Sequence, residues 1–180
     1  MCDALPLPQY RPTQRRHHSF CRSFHLFFSS LFLICVSGWF AAPSHAAAPS
    51  TFSTTVGNTL LCMNQLDSHF FYDYFRDAFG KPYKQEGGAF WFKADAVLWG
   101  APITDVLVSD DPSLFSFIAA VADVPPERLE TAVAETMGIR HQAMDRSKFP
   151  VRQALPGSQI IYFQKKSKIF CAKSKQIRPN

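Results

Sequence analysis

Motifs with a built-in chemistry are missing from this chain. No GxSxG, HExxH, CxxC, CxxCH or calcium-loop pattern occurs in its 180 residues. The local routes to a serine nucleophile, a zinc site, a redox dithiol, a haem or an EF-hand are therefore closed. "GKPYKQEGG" (80–88) brings lysine and glycine together, but not in the GxxxxGK[ST] order that cradles phosphate. Triads and carboxylate pairs assemble in space rather than in sequence, so an enzyme is disfavoured rather than excluded. Residues 47–180 have no internal repeat and no low-complexity tract.

Acid is scarce at both ends. The first 46 residues carry only Asp3 against Arg11, Arg15, Arg16 and Arg22. An almost uncharged run follows, "FHLFFSSLFLICVSGWFAA" (24–42), then Pro43 and "SHA" (44–46). Basic region, apolar region and small-residue exit in that order predict a signal peptide over 1–46, cleaved after Ala46. Cleavage after Ala48 would put Pro49 against the scissile bond. Arg15-Arg16 lacks the residues a twin-arginine signal places after the pair. Cys35 lacks the preceding small residue of a lipoprotein signal. The rival is an uncleaved membrane anchor, since roughly 17–25 apolar residues span a bilayer. His25, Ser29, Ser30 and Gly38 dilute the run and favour cleavage.

Cysteine is also scarce once the leader is set aside. Cys2, Cys21 and Cys35 leave with it, and Cys62 and Cys171 remain. Export places them in an oxidising compartment, where an even pair forms a disulfide. Closing so long a loop is worth up to about 4 to 5 kcal/mol in the chain-entropy account. The alternative makes Cys62 a nucleophile with His141 as its base, but no signature residues flank either position.

The 134 residues left after the leader suit one domain. The leader takes four of the 19 basic residues and one of the 14 acidic ones, leaving 15 against 13. Lys165, Lys166, Lys168, Lys173, Lys175 and Arg178 form an acid-free basic end, and residues 47–164 net −4. Residues 176–180 read as a basic tail.

What is present along the chain predicts an α+β domain over 59–175, an antiparallel sheet with about three helices packed on it. Residues 47–58, "AAPSTFSTTVGN", are small and polar and read as a flexible lead-in. "TLLCMN" (59–64) reads as a strand or an extension of the next helix. That helix starts at the N-cap residue Asp67 and ends at Phe79, before Gly80 and Pro82. "GGAFWFKADAVLWG" (87–100) alternates as a strand, or as a hairpin turning at 93–95. "GAP" (100–102) reads as a turn and 103–109 as a second strand. A helix from Asp111 and Pro112 to Asp123 is expected next, then one from Pro126 with Leu129, Ala132, Val133 and Met137 on one side and Gly138 at its end. After a polar link (140–157), strands 158–164 and 168–173 close the chain as a hairpin, with Cys171 on the same face as Ile169.

Three candidate sites emerge. In "HFFYDYFRDAFG" (69–80), His69, Asp73, Arg76 and Asp77 fall within about 100° of arc. They read as the wet stripe of a buried helix, since no third residue supplies a zinc-type spacing. Trp91 and Trp99 share the more polar strand face, with Tyr83 upstream, and could stack a ligand. The alternative for these three is a sheet covered on both faces. The basic end could contact an anion, or its lysines could guard a strand edge against pairing. Without interleaved base-reading aromatics it carries no specific nucleic-acid signal. A metal or cofactor is not expected.

These observations predict an exported protein, periplasmic or secreted, that binds an unknown envelope ligand or protein without catalysis. One rival is a small envelope-polymer hydrolase using Asp95, Asp105 or His141. A second is a membrane-tethered protein, which alone would imply membrane contact.

Overall fold

In the computed structural model, residues 47–175 are described, and they belong to one compact unit. The expectations for the leader (1–46), the basic tail (176–180) and Arg178 lie outside the described residues. The order of elements is α1 (Phe52–Leu60), α2 (Ser68–Phe79), β1 (Lys84–Glu86), β2 (Ala89–Leu98), β3 (Ala101–Ser109), β4 (Phe115–Ala122), α3 (Pro126–Met137), β5 (Gln142–Ala143), β6 (Arg152–Gln153), β7 (Gln159–Phe163) and β8 (Lys166–Ser174). All eight strands form one antiparallel sheet in the order β1-β2-β3-β4-β8-β7-β6-β5. Two meanders, β1–β4 and β5–β8, are joined through α3, and the last strand returns beside β4. Among the described residues the expected α+β class, antiparallel sheet and three helices are all present, though the helices are not the expected three.

α1 lies in the segment expected as a flexible lead-in. Phe52, Val56 and Leu60 recur every four residues and are fully buried, so a narrow apolar stripe anchors an otherwise small, polar helix. Thr59 is also buried, with its hydroxyl satisfied by donating to the Thr55 carbonyl at 2.8 Å. "TLLCMN" is neither strand nor part of α2; it ends α1 and turns at Cys62. Among the described residues, the leading segment is also tied down by a bridge between Ala47 and Asp95.

α2 starts as expected. The Asp67 carboxylate accepts from the His69 and Phe70 amides, at 2.9 and 3.2 Å, which satisfies two donors that the helix leaves unpaired. Phe71 and Phe75 are its buried residues. α3 runs from Pro126, buries Leu129 and Val133, and closes on Gly138 in the left-handed region (φ 70°).

The expected helix from Asp111 to Asp123 is instead β4, a central strand between β3 and β8. Its inward residues Ile118, Ala120 and Ala122 and its outward residues Ala119 and Val121 are all buried. A strand covered on both sides reads as an unbroken apolar run, and periodicity cannot separate that from a buried helix. Asp110, not Asp111, has the capping part: its carboxylate accepts from the Ser113 amide at 3.2 Å and organises the turn into β4.

β2 is one long strand with a register shift between Lys93 and Ala96, not a hairpin. The turn after it is Trp99-Gly100. Both residues have positive φ (52° and 78°), as a type I′ hairpin loop requires. β8 begins at Lys166, two residues before the expected start, with the turn at 164–165.

All three helices pack on the same face. Their buried residues share one core with Phe92, Ala94, Ala96 and Leu98 of β2, Val106 and Val108 of β3, Ile118 and Ala120 of β4, and Ile160 and Ile169. Cys171 is on that face with Ile169, as expected, and is bonded to Cys62 with a Cα–Cα distance of 5.3 Å across 109 residues of chain. The staple ties the end of α1 to the last strand.

Candidate functional site

The face of the sheet turned away from the helices carries a second, smaller apolar cluster of Ala89, Trp91, Leu107, Ala119 and Val121, with Phe117, Phe163 and Phe170 packed against it. Among the described residues, no helix residue contributes to it. Strand register explains the grouping, because alternate residues of paired strands stand side by side on one face. Lys84, Trp91, Leu107, Ala119, Phe170 and Gln159 form one row across β1, β2, β3, β4, β8 and β7. Lys93, Asp105, Val121, Lys168 and Ile161 form the next.

This face is concave. β2 and β7 are separated by four strand spacings, roughly 19 Å in a flat sheet. The Trp91 and Phe163 rings are nevertheless 6.0 Å apart, so the sheet curls until side chains from distant strands meet. Beside that contact, small residues at Ala89, Ala119 and Ala172 leave a trough of about 490 Å³. Its walls are Trp91, Leu107, Phe115, Phe117, Ile161 and Phe170, and Lys168 and Glu86 are its charged residues.

Charge around the trough is arranged through two clusters. In the first, the Asp105 carboxylate accepts from Tyr83 (2.9 Å), Lys93 (2.7 Å) and Thr104 (2.8 Å). Burial and the neighbouring Asp105 carboxylate push the Tyr83 phenol above its ordinary range. In the second, the Lys84 ammonium stands 4.0 Å from the Trp91 ring centre and the Lys168 ammonium 5.0 Å from it. Lys168 is also 4.4 Å from the Phe163 ring. Lys84 pairs with Glu86 at 2.8 Å, and Lys166 pairs with Asp123 at 3.0 Å. Among the described residues Lys168 has no acidic partner. Burial holds its ammonium below the usual lysine range, and the nearby charge of Lys84 adds to the effect.

Two of the three expected stacking residues therefore reach the same face. Trp91 lies at the trough, 8 % exposed, with its Nε1 donating to the Glu86 carbonyl at 3.2 Å. Tyr83 stands at the rim, 46 % exposed. Trp99 does not join them. Its turn conformation carries the ring to the helix side, where it packs against Gly57 of α1, close enough that a Cβ there would meet the ring at 3.4 Å.

The basic end is likewise divided. Lys166 and Lys168 belong to the concave face, and strand alternation sends Lys173 to the opposite one. Lys165 is exposed in the turn. Lys175 donates to the backbone carbonyls of Asp110 and Asp111, at 3.1 and 3.0 Å. These lysines do not make one continuous patch.

The residues of the hydrolase reading are dispersed. Asp105 is bound in the rim cluster, Asp95 is exposed on β2, and His141 lies beyond α3. His141 Nε2 is 3.1 Å from Ser158 Oγ, a pair that sequence spacing did not reveal. Ser158 is fully buried, His141 is almost so, and His141 Nδ1 has no partner. A nucleophile with no access to substrate and a base with no orienting carboxylate make a structural pair rather than a catalytic one. Cys62, the nucleophile of the thiol reading, is held in the disulfide.

On α2, the polar stripe is exposed as expected. Arg76 bonds Asp73 at 2.9 Å and Asp77 at 3.3 Å, and His69 faces Asp111 at 3.7 Å. Among the described residues no group of three His, Cys, Asp or Glu side chains is placed to hold a metal ion, and no helix is long and apolar enough to cross a membrane.

The trough residues Leu107, Phe117 and Phe170 were not singled out from the sequence. The available signal was the alternation Phe115, Phe117, Ala119, Val121, which becomes visible only when 115–122 is read as a strand. Compared with protein-family models, curated proteins and solved structures, the chain matches none.

Proposed function

We propose that this chain is an exported protein of the cell envelope, periplasmic or secreted, that works by binding rather than catalysis, with the concave face as its ligand site. The observation that carries the reading is the trough at Trp91. It is a concave, mostly apolar hollow of about 490 Å³ with a few polar groups at its edge, the usual make-up of a small-molecule site. The leader, with its basic, apolar and small-residue regions, supports export, and the Cys62–Cys171 bond is in keeping with an oxidising compartment. An uncleaved leader would tether the same domain to the inner membrane, and the length of its apolar run favours that second reading.

The test has two arms on protein purified from an exporting host. Intact mass should begin at Ala47 and be two hydrogens light; a full-length mass in the membrane fraction would establish the tether instead. Native mass spectrometry should show a small molecule carried through purification and released by organic solvent. An Ala172→Trp variant, whose new ring fills the trough from an exposed strand position, should lack it. A protein free of adducts after exposure to envelope extract would sink the binding reading.

A further inference from the structure

We infer that the concave face binds a free single-chain amphiphile with an anionic head, its chain lying in the trough and its head meeting Lys168. This rests on the reading of that face as a ligand site and goes further by naming the chemistry of the ligand.

Three observations carry it. First, the trough is apolar across several strands. Trp91 and Phe170 are separated by three strand spacings, roughly 14 Å along the sheet, with Leu107 and Ala119 between them. That is an elongated surface with no polar partners along its floor, suited to a flexible hydrocarbon chain. Second, its charges do not balance. Lys84 is neutralised by Glu86, Lys93 by Asp105 and Lys166 by Asp123. Among the described residues, half-buried Lys168 has only the faces of Trp91 and Phe163 to compensate it. An aromatic face offsets part of the cost of desolvating an ammonium, whereas a carboxylate or phosphate in the same place would offset far more. Third, Lys168 lines the trough itself, so one ligand can satisfy both the apolar walls and the lone cation.

The same observations argue against other occupants. A second copy of this face would bring another uncompensated Lys168, not an anion. A bilayer surface prefers a protruding basic patch, whereas here the lysines of the last strand are split between two faces and the apolar surface is recessed. An acidic peptide would bring several charges to a hollow that offers one.

The experiment titrates the oxidised, exported protein with decanoate and decyltrimethylammonium below their micellisation ranges and 1-decanol below its solubility limit, and follows the Trp91 indole N–H resonance. Decanoate should saturate and bind about tenfold or more tightly than 1-decanol, the scale a charge-assisted contact supplies. The ammonium amphiphile should bind most weakly. In Lys168→Met, the advantage of decanoate over 1-decanol should disappear; in Ala172→Trp all three should weaken. Equal affinities for the three head groups would overturn the anionic assignment and leave the face as an apolar binding site. No response to any of them would remove both the assignment and the reading beneath it. Binding to anionic vesicles without binding to monomeric decanoate would overturn the single-chain ligand. So would a shift from dimer to monomer in Ala172→Trp, which would make the face an interface between copies. The head-group comparison is made on the unaltered protein, so it decides the matter even where a variant fails to fold.

Discussion

Trp91 on β2 and Phe163 on β7 hold their rings 6.0 Å apart across a sheet that places three strands between them. The contact is the visible consequence of the curl, and the trough lies beside it on the Trp91 side. It also brings the Lys168 ammonium within reach of both rings. Replacing Phe163 by alanine should cost about 1 to 2 kcal/mol, counting the aromatic pair and the lost burial. It should also move the emission of Trp91 to longer wavelength, because water reaches the indole. Urea melts and fluorescence in a Trp99→Phe background measure both; an unchanged emission would mean that Phe163 does not shelter Trp91.

The Cys62–Cys171 bond spans 109 residues of chain, so it restricts nearly the whole unfolded domain. The double variant Cys62→Ala/Cys171→Ala should lose about 2 to 5 kcal/mol in denaturant melts. Neither thiol of the native protein should react with an alkylating agent before reduction. Alkylation of Cys62 in the untreated protein would reopen the thiol-enzyme reading.

His141 carries a pH dependence whose sign is set by burial. Burial lowers its imidazole from 6.5 to about 4, so the folded state binds the proton less readily than the unfolded state. The stability is intact above pH 6.5 and is lost as pH falls from there to about 4, by up to about 3 kcal/mol. A His141→Gln variant should flatten that part of the stability profile, as read by urea melts at a series of pH values. A slope that survives the substitution would belong to another group.

Arg152 is buried against α3, donating to Glu130 at 2.9 Å and to Glu127 at 2.6 Å; the Tyr162 hydroxyl also donates to Glu127. Glu127→Gln with Glu130→Gln leaves a buried guanidinium without counter-charge and should cost about 2 kcal/mol, allowing for solvent screening of the partly exposed glutamates. Arg152→Met, which removes the charge and keeps the packing stem, should cost less. The reverse order in denaturant melts would show that the charge of Arg152, not its balance, stabilises the site.

Local chemistry was legible wherever a residue acts on its own neighbours. Asp67 caps α2, Pro126 and Gly138 bound α3, and the alternation of β2 sorts Phe92, Ala94, Ala96 and Leu98 onto the helix side. The pairing of Cys62 with Cys171 followed from reading 1–46 as a leader, which leaves two of the five cysteines to pair. The polar stripe of α2 followed from helical geometry alone. Where both faces of a segment are covered, as in β4, or where a helix is mostly small and polar, as in α1, the local pattern points elsewhere. In those segments tertiary burial overrides it.

The sequence by itself determined the α+β class, the inward face of the last strand and the staple, because each depends on the pattern along the chain. The tertiary structure alone decided the site. Trp91, Leu107, Ala119, Lys168 and Phe170 become neighbours only through the register of β2, β3, β4 and β8 and the curl of the sheet. Trp99, two residues past Val97 in the same alternation, leaves that face because its hairpin turn needs positive φ there. Long-range pairing and twist have no signature at short sequence separation, and the unbalanced charge of Lys168 exists only once they have set its neighbours.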